Sequence, residues 1–332
     1  MKTLDTHPEF SQLVNITAQE LGIRTEFVVK DYWVTRILRA IATDDSMRRQ
    51  VIFKGGTSLS KGWKLIDRFS EDVDLLATGP DFSGPPGGKA RERLFKAIRS
   101  RVERETPLRL PEMSDIAPGD RNFLYLRGPH KCDIRYPLPG RVISRSSAYT
   151  EFVFLEMGFR GGPNPHVAVA LNSFVGEYIL GLAADQHSAL ADYAEDFAAF
   201  EMELLDPVRT FVEKLLVLHG SLAKGIKGVR TRHFYDLDSL FRKSESVRTS
   251  LQSEQFPALV KDALRITREY FDADLDPNLN LAESPVLNLT AEQISELTIQ
   301  YRGERDYYFG RQPPFGELVE TLAEVRALLR DR

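Results

Sequence analysis

A single cysteine, Cys132, stands in a chain of 332 residues. One thiol cannot close an internal disulfide or build a cysteine-based zinc site, so disulfide-stapled scaffolds and zinc ribbons are excluded. No apolar run approaches the roughly 20 residues that a membrane span needs, and mean hydropathy is −0.29. The opening MKTLDTHPEFSQ carries no apolar h-region, which predicts that no signal peptide directs secretion. A cytoplasmic protein without membrane association is the expectation. Net charge is scarce as well: 44 Lys and Arg face 48 Asp and Glu, a balance of −4, which speaks against a uniformly basic nucleic-acid binder. No internal repeat or low-complexity tract stands out. What remains is ordinary globular material, 42% hydrophobic and 28% charged, long enough for two domains or one large one.

The near-neutral total hides an uneven distribution. Residues 86–145 hold 14 basic and 7 acidic side chains, and residues 209–248 hold 9 basic and 4 acidic. Residues 182–206 contain 7 acidic and no basic ones, and residues 269–306 contain 9 acidic and 2 basic. Two basic blocks thus alternate with two acidic ones along the chain. They read either as solvated helix faces or as a surface for a polyanion flanked by acidic surfaces.

Hydrophobic periodicity predicts a helix over Phe27–Thr43, from Val28, Trp33, Ile37, Leu38 and Ile41. Val51-Ile52-Phe53 is a short β-rich run ending at Gly55-Gly56, after which Thr57 is placed to cap a helix through Lys64. Asp72–Ala77 (DVDLLA) alternates carboxylate and aliphatic with the period of a strand. Residues 80–88 form a Gly/Pro loop and Ala90–Glu105 a basic helix, while Asn122–Leu126, Lys131–Tyr136 and Glu151–Met157 read as strands. Beyond about Ala168 the reading is helical: Phe174–Ala184, Pro207–His219, His233–Arg242, Ala258–Phe271 and Ala291–Gln300. The expected layout is α+β, with an N-terminal α/β domain over residues 1–168 and a helical domain over residues 169–332.

Chemistry concentrates in Phe53–Leu75, FKGGTSLSKGWKLIDRFSEDVDL. Gly55 and Gly56 permit close backbone approach or positive φ, and the hydroxyls of Ser58 and Ser60 add donors, so this turn suits a phosphate. Lys54, Lys61 and Lys64 surround it. Asp72 and Asp74, at i and i+2 of a strand, project to one face as two adjacent carboxylates. Like charges so placed call for a cation, and oxygen-only donors suit Mg²⁺. A phosphate turn followed by an Asp-x-Asp strand fits metal-assisted transfer from a nucleoside triphosphate. A two-metal site usually adds a third carboxylate from a neighbouring strand, and in HKCDIRYP the candidate is Asp133, which shares a face with Lys131 and Arg135. The alternative is that Asp133 pairs with one of those two cations.

This order of elements resembles the nucleotidyltransferase toxins of the AbiEii/AbiGii family, MenT-like proteins of abortive-infection and type IV toxin–antitoxin systems. The likeness begins at VVKDYWV (Val28–Val34), peaks in FKGGTSLSK and RFSEDVDLL, and returns in RTFVEKLLVLHG (Arg209–Gly220) and RTRHFYDLDSL (Arg230–Leu240). It implies a polymerase-β-like mixed sheet followed by a helical domain. It also implies that Gly56 and Ser58 sit in the nucleotide-phosphate turn and that Asp72 and Asp74 bind metal; beside these, the residue pattern itself offers Gly55, Thr57 and Lys61 for the nucleotide, with a solvated lysine as the plainer reading of Lys61, and Asp133 as third metal ligand. Lys214 matches the family lysine that contacts the triphosphate, and Asp236 an aspartate needed for activity. Many nucleotidyltransferases place Ser directly after the glycines, so either Thr57 or Ser58 stands for the phosphate contact. Asp31 and Tyr32 read as structural, and Trp33 as a core anchor.

Side-chain patterning bears on the last two roles. Val208, Phe211, Leu215, Leu218 and Leu222 form a helical apolar stripe, and Lys214 falls on its apolar side. A lysine there snorkels, meets an anion, or pairs with Glu213 or Asp236. Asp236 alternatively caps a helix or pairs with Arg232, and His219 and His233 read as hydrogen-bonded structural histidines. The resulting expectation is a Mg²⁺-dependent enzyme with two metal ions. It would transfer a nucleoside monophosphate from a nucleoside triphosphate to RNA, tRNA ends above all, and meet a cognate antitoxin as partner. A protein hydroxyl acceptor, and a non-catalytic nucleotide- or partner-binding module, are the competing readings.

Overall fold

A computed structural model describes residues 2–70, 72–112, 114–128, 131–159, 161–183, 188–271 and 275–330. The fold is α+β and divides into two compact units that do not part at a single point of the chain. The first comprises residues 1–62, 71–159 and 168–204; the second comprises 63–70, 160–167 and 205–332.

Seven strands form one mixed sheet: β1 Val51–Lys54, β2 Asp72–Ala77, β3 Tyr125–Arg127, β4 Lys131–Pro137, β5 Phe152–Gly158, β6 His166–Leu171 and β7 Phe200–Leu205. Their order is β3-β4-β5-β2-β1-β7-β6. β2 runs antiparallel to β1 and parallel to β5, and β4 runs antiparallel to both β3 and β5. The parallel β1–β7 pairing joins Phe53 to Leu204.

The first unit contains helices α1 Phe10–Leu21, α2 Thr25–Ala42, α3 Gly55–Lys61, α4 Gly88–Glu105, the single turn α5 Arg121–Leu124, α6 Phe174–Gly181 and the short α7 Ala194–Phe197. α2 is buried from Phe27 to Ala42 except at Val29, where exposure is partial or greater. A helix apolar on nearly every side belongs inside, and its charged residues are all engaged. Lys30 donates to Tyr149 O at 2.7 Å, Lys61 pairs with Asp31 at 2.6 Å, and Arg36 pairs with Asp5 and Asp196 at 3.0 and 3.4 Å. Buried charge is tolerated because it is paired. α4 turns Leu94, Phe95, Ile98 and Val102 inward and packs against α2.

The second unit is helical: α8 Pro207–Ala223, α9 Arg232–Lys243, α10 Glu245–Leu251, α11 Phe256–Phe271, α12 Ala291–Arg302 and α13 Phe315–Arg330. Asp206 caps α8 by accepting from Val208 N at 2.8 Å, with Pro207 in the first turn. Thr290 and Gln293 form a reciprocal capping box on α12. α9 packs on α8 and α13, burying Phe234, Leu237 and Leu240.

Four local expectations are corrected. Asn122–Leu126 is not one strand: Arg121–Leu124 closes a helical turn on the Asp120 carbonyl before β3 begins at Tyr125. The helix after the glycines starts at Gly55 and ends at Lys61, with no side-chain cap. The region after Ala168 is not wholly helical, because β7 and most of β6 lie there. The expected helix over Phe174–Ala184 ends at Gly181, and residue 184 lies outside the described residues.

Candidate active site

β2 carries its carboxylates on one face and Val73, Leu75 and Ala77 on the other, and that second face is buried. Strand register then extends the acidic face sideways. Lys54 of β1 pairs with Asp74, Asp74 with Glu156 of β5, and Glu156 with Asp133 of β4. Residues directly opposite share a face, so Lys54, Asp74, Glu156 and Asp133 form one row across four strands. Asp72 lies two residues along β2, in the row of Phe154 and Arg135. The expectation that Asp72, Asp74 and Asp133 share a surface meets this arrangement, and Glu156 joins them.

The turn after β1 approaches Asp74 closely. Gly55 has φ +79°, and a Cβ built on it would stand 1.9 Å from Asp74 Oδ2. Only glycine leaves room here for the carboxylate and accepts this backbone without strain. The hydroxyls nearby are engaged within the turn: Thr57 Oγ1 donates to Asp72 O, and Ser58 Oγ, fully buried, donates to Gly55 O at 2.9 Å. Thr57 thus ties the turn to β2 rather than capping a helix.

Lys61, expected at the phosphate turn, is 6% exposed and points into the unit, where it meets Asp31 and donates to Asn172 O at 2.7 Å. Asp31 also accepts from Phe174 N at 2.8 Å. Burial pushes the Asp31 carboxyl up, against the opposing pull of Lys61. Lys61 therefore anchors α3 to α2 and α6 instead of presenting its ammonium at the turn.

The acidic row is electrostatically tense. Burial, then the charge of Asp133, then that of Asp72, push the Glu156 carboxyl up, while Lys131 and Lys54 oppose them. Asp133 is 3% exposed and pairs with Lys131 at 2.5 Å, one of the two expected partners. Its other oxygen, Oδ1, is buried without a hydrogen-bond partner. The second expected partner, Arg135, instead donates to Phe123 O at 2.6 Å and stacks 3.8 Å over the Phe154 ring. Among the described residues no three His, Cys, Asp or Glu side chains converge as a ready-made metal cage. The donors nonetheless suit a hard divalent cation: they are all carboxylate oxygens on one face, one is buried without a partner, and Asp74, Glu156 and Asp133 lie in one row.

The basic block of residues 86–145 divides between the two sheet faces. Arg99 of α4 lies over the Tyr125 ring, and Tyr125 is registered with Ile134, which points away from Asp133. α4 therefore covers the face opposite the carboxylates, whereas Lys131 shares their face.

The second unit holds the other two expected residues together. Asp236, 0% exposed, is gripped by Arg68 through two bonds, Nε to Oδ1 at 2.6 Å and Nη2 to Oδ2 at 2.7 Å. Lys214 Nζ reaches Asp236 Oδ2 at 2.6 Å and His233 Nδ1 at 3.3 Å. Arg232, the expected partner of Asp236, is replaced by Arg68 and Lys214. Burial alone would raise the Asp236 carboxyl, but Arg68 and Lys214 hold it well below the carboxylate range. Burial and the Lys214 charge push the His233 imidazole down to about 4, although Asp236 opposes them. His219 binds Ser284 Oγ at 2.9 Å, in keeping with a structural role.

Two participants were not singled out from the sequence. Glu156 had a readable signal: it is the one charged residue inside the apolar FVFLEMG strand. Arg68 opens the RFSEDVDLL stretch, but its pairing was not readable, since its partner lies 168 positions away.

Comparison with known proteins follows this geometry. No curated protein sequence matches the chain. Among solved structures, it is similar to MenT4, a nucleotidyltransferase toxin from Mycobacterium tuberculosis H37Rv. The two share 16% identity over 96% of this chain and 90% of that one, with a TM-score of 0.48. The family model described as nucleotidyl transferase AbiEii toxin, type IV toxin–antitoxin system, matches residues 36–325, a span containing the glycine turn, the carboxylate row and the Arg68–Asp236–Lys214 cluster. The chain is a nucleotidyltransferase and belongs to the AbiEii toxin family of type IV toxin–antitoxin systems.

Proposed function

We propose that this enzyme transfers a nucleoside monophosphate from a nucleoside triphosphate to RNA, with tRNA 3′ ends as the preferred acceptor, and that the transfer requires Mg²⁺. The observation that carries this reading is the row Asp74–Glu156–Asp133, with Asp72 beside it, set against a glycine whose missing side chain makes room for Asp74. Asp72, Asp74 and Asp133 are the residues assigned to hold the metal, which when bound would neutralise charge at the reacting phosphate. Asp74 owes its place to Gly55, and Asp133 keeps one buried oxygen available on the same face. Glu156 lies between Asp74 and Asp133 in the same row.

The nucleotide phosphates are assigned to the turn at Gly55, Gly56, Thr57 and Ser58, with Lys61 outside this set. Lys214 is assigned to the triphosphate charge, following the family lysine, and Asp236 to holding Lys214. Catalysis would rest on positioning and charge compensation rather than on a covalent intermediate. RNA is the acceptor that the family resemblance implies, and Lys131, partly exposed although paired with Asp133, is a cation on the carboxylate face. The toxin–antitoxin family implies a protein antitoxin as partner.

The test is incubation of the full chain with α-labelled nucleotides, total RNA, cell protein and Mg²⁺, followed by separation of RNA from protein. Label in RNA that disappears with chelator and in Asp74→Ala supports the proposal. Label in protein alone, or equal labelling by Asp74→Ala, refutes it.

A further inference from the structure

We propose that Arg68 is a positioning residue for nucleotidyl transfer, clamping Asp236 so that this carboxylate holds the Lys214 ammonium in one place. The inference rests on the enzymatic reading above and extends it to a residue outside the carboxylate row.

Asp236 is buried between two cations, Arg68 at 2% and Lys214 at 8% side-chain exposure, and the carboxyl of Glu304 adds its charge on the Arg68 side. His233 adds no third positive charge, because burial keeps its ring neutral near pH 7. An ion pair buried only for stability gains little over apolar packing. What such a cluster does supply is a fixed geometry, since two cations share the one fully buried carboxylate of Asp236.

Geometry assigns different parts to the two cations. Arg68 uses Nε and Nη2 on the two oxygens of Asp236, a planar two-point hold that fixes the carboxylate's orientation, and Nη1 donates to Phe69 O at 3.0 Å. Its backbone is pinned in turn: Phe69 N donates to Tyr307 O at 2.6 Å, while Phe309 N and Gly310 N donate to Asp67 O at 3.2 and 3.1 Å. Lys214 approaches Oδ2 alone and takes His233 as a second contact. It is also the more accessible of the two cations. The rigid partner is thus Arg68, the adjustable one is Lys214, and Asp236 transmits the position of the first to the second.

The test compares Arg68→Met, Asp236→Asn and the double variant with wild type, using full-length protein, α-labelled nucleoside triphosphates, RNA and Mg²⁺, with thermal melting in parallel. Arg68→Met leaves Asp236 to Lys214 alone and lowers both melting temperature and transfer. The double variant, like Asp236→Asn, leaves Lys214 buried without its carboxylate, so melting stays below wild type and Lys214 is unanchored. Its kcat at saturating nucleotide remains about 10- to 100-fold below wild type, with a smaller change in KM. Recovery of wild-type kcat together with melting shows that the clamp serves stability only and overturns the proposal, as does full activity of Arg68→Met. A wild-type chain that transfers nothing sinks the enzymatic reading itself, and the proposal with it. Wild-type activity combined with a fully active double variant sinks the clamp alone.

Discussion

Gly55→Ala should remove transfer activity while costing little stability. The backbone at Gly55 is left-handed, φ +79°, a conformation that costs a residue with a Cβ about 1–2 kcal/mol. That sum shifts melting by only a few degrees, at about 2–4 °C per kcal/mol for a unit of this size. The added methyl does more. Its Cβ would stand 1.9 Å from Asp74 Oδ2, and ordinary contact begins near 3.4 Å, so the carboxylate must retreat by about 1.5 Å. Misplacing a reacting group by about 1 Å costs on the order of 10²-fold in rate. Gly22→Ala supplies the control, since Gly22 has φ +63° but nothing within 4 Å of its Cβ position. Both variants should melt slightly below wild type. Transfer from α-labelled nucleotide, measured at equal protein concentration, should fall about 100-fold in Gly55→Ala and stay near wild type in Gly22→Ala. Equal activity of the two variants would refute the argument that Asp74 depends on the bare backbone at Gly55.

Lys61→Met should act as a stability lesion, costing about 3–5 kcal/mol because Asp31 is left buried and unpaired; denaturant unfolding of the variant against Asp31→Asn/Lys61→Met reads this directly, and the double change should regain most of the loss. Folded His233 titrates near 4 against an ordinary 6.5, so the unfolded state binds the extra proton between those values. Stability present above pH 6.5 should therefore fall by about 3 kcal/mol as pH drops toward 4, and His233→Gln should flatten this slope in unfolding measurements at pH 7 and 4.5. Burial pushes the Cys132 thiol up, so the native chain should react with a thiol reagent far more slowly than the chain in denaturant; comparable rates would contradict its placement in β4.

The alternation in DVDLLA and HKCDIRYP made β2 and β4 readable, because residues facing opposite ways across a sheet obey a period of two. With those strands came Asp72, Asp74 and Asp133 as residues of a common face. Their lateral alignment was not readable, since register between β4, β5 and β2 depends on pairing across long stretches of chain. Glu156 entered the row by that route. β7 was hidden for another reason: Glu201 and Glu203 alternate with Met202 and Leu204, but the surrounding acidic run masks the pattern. Lys61 looked like a phosphate ligand from its place beside the glycines, and only the three-dimensional approach of Asp31 turns it inward. Arg68 illustrates the same limit, for a two-point ion pair across 168 positions leaves no local trace. Lys214 fared better: its place on the apolar side of α8 already required a partner, and the partner is Asp236.

Nucleotidyl transfer at the Asp74 face is tested most directly by following two labels. Nucleoside triphosphate carrying label on the α-phosphate, and a second sample labelled on the γ-phosphate, are each incubated with wild type or Asp74→Ala, RNA and Mg²⁺. Incorporation of the α label into RNA by wild type, with the γ label released as pyrophosphate and neither event occurring in Asp74→Ala, is the expected result. Transfer of the γ label to the acceptor, or α incorporation that persists in Asp74→Ala, would contradict it.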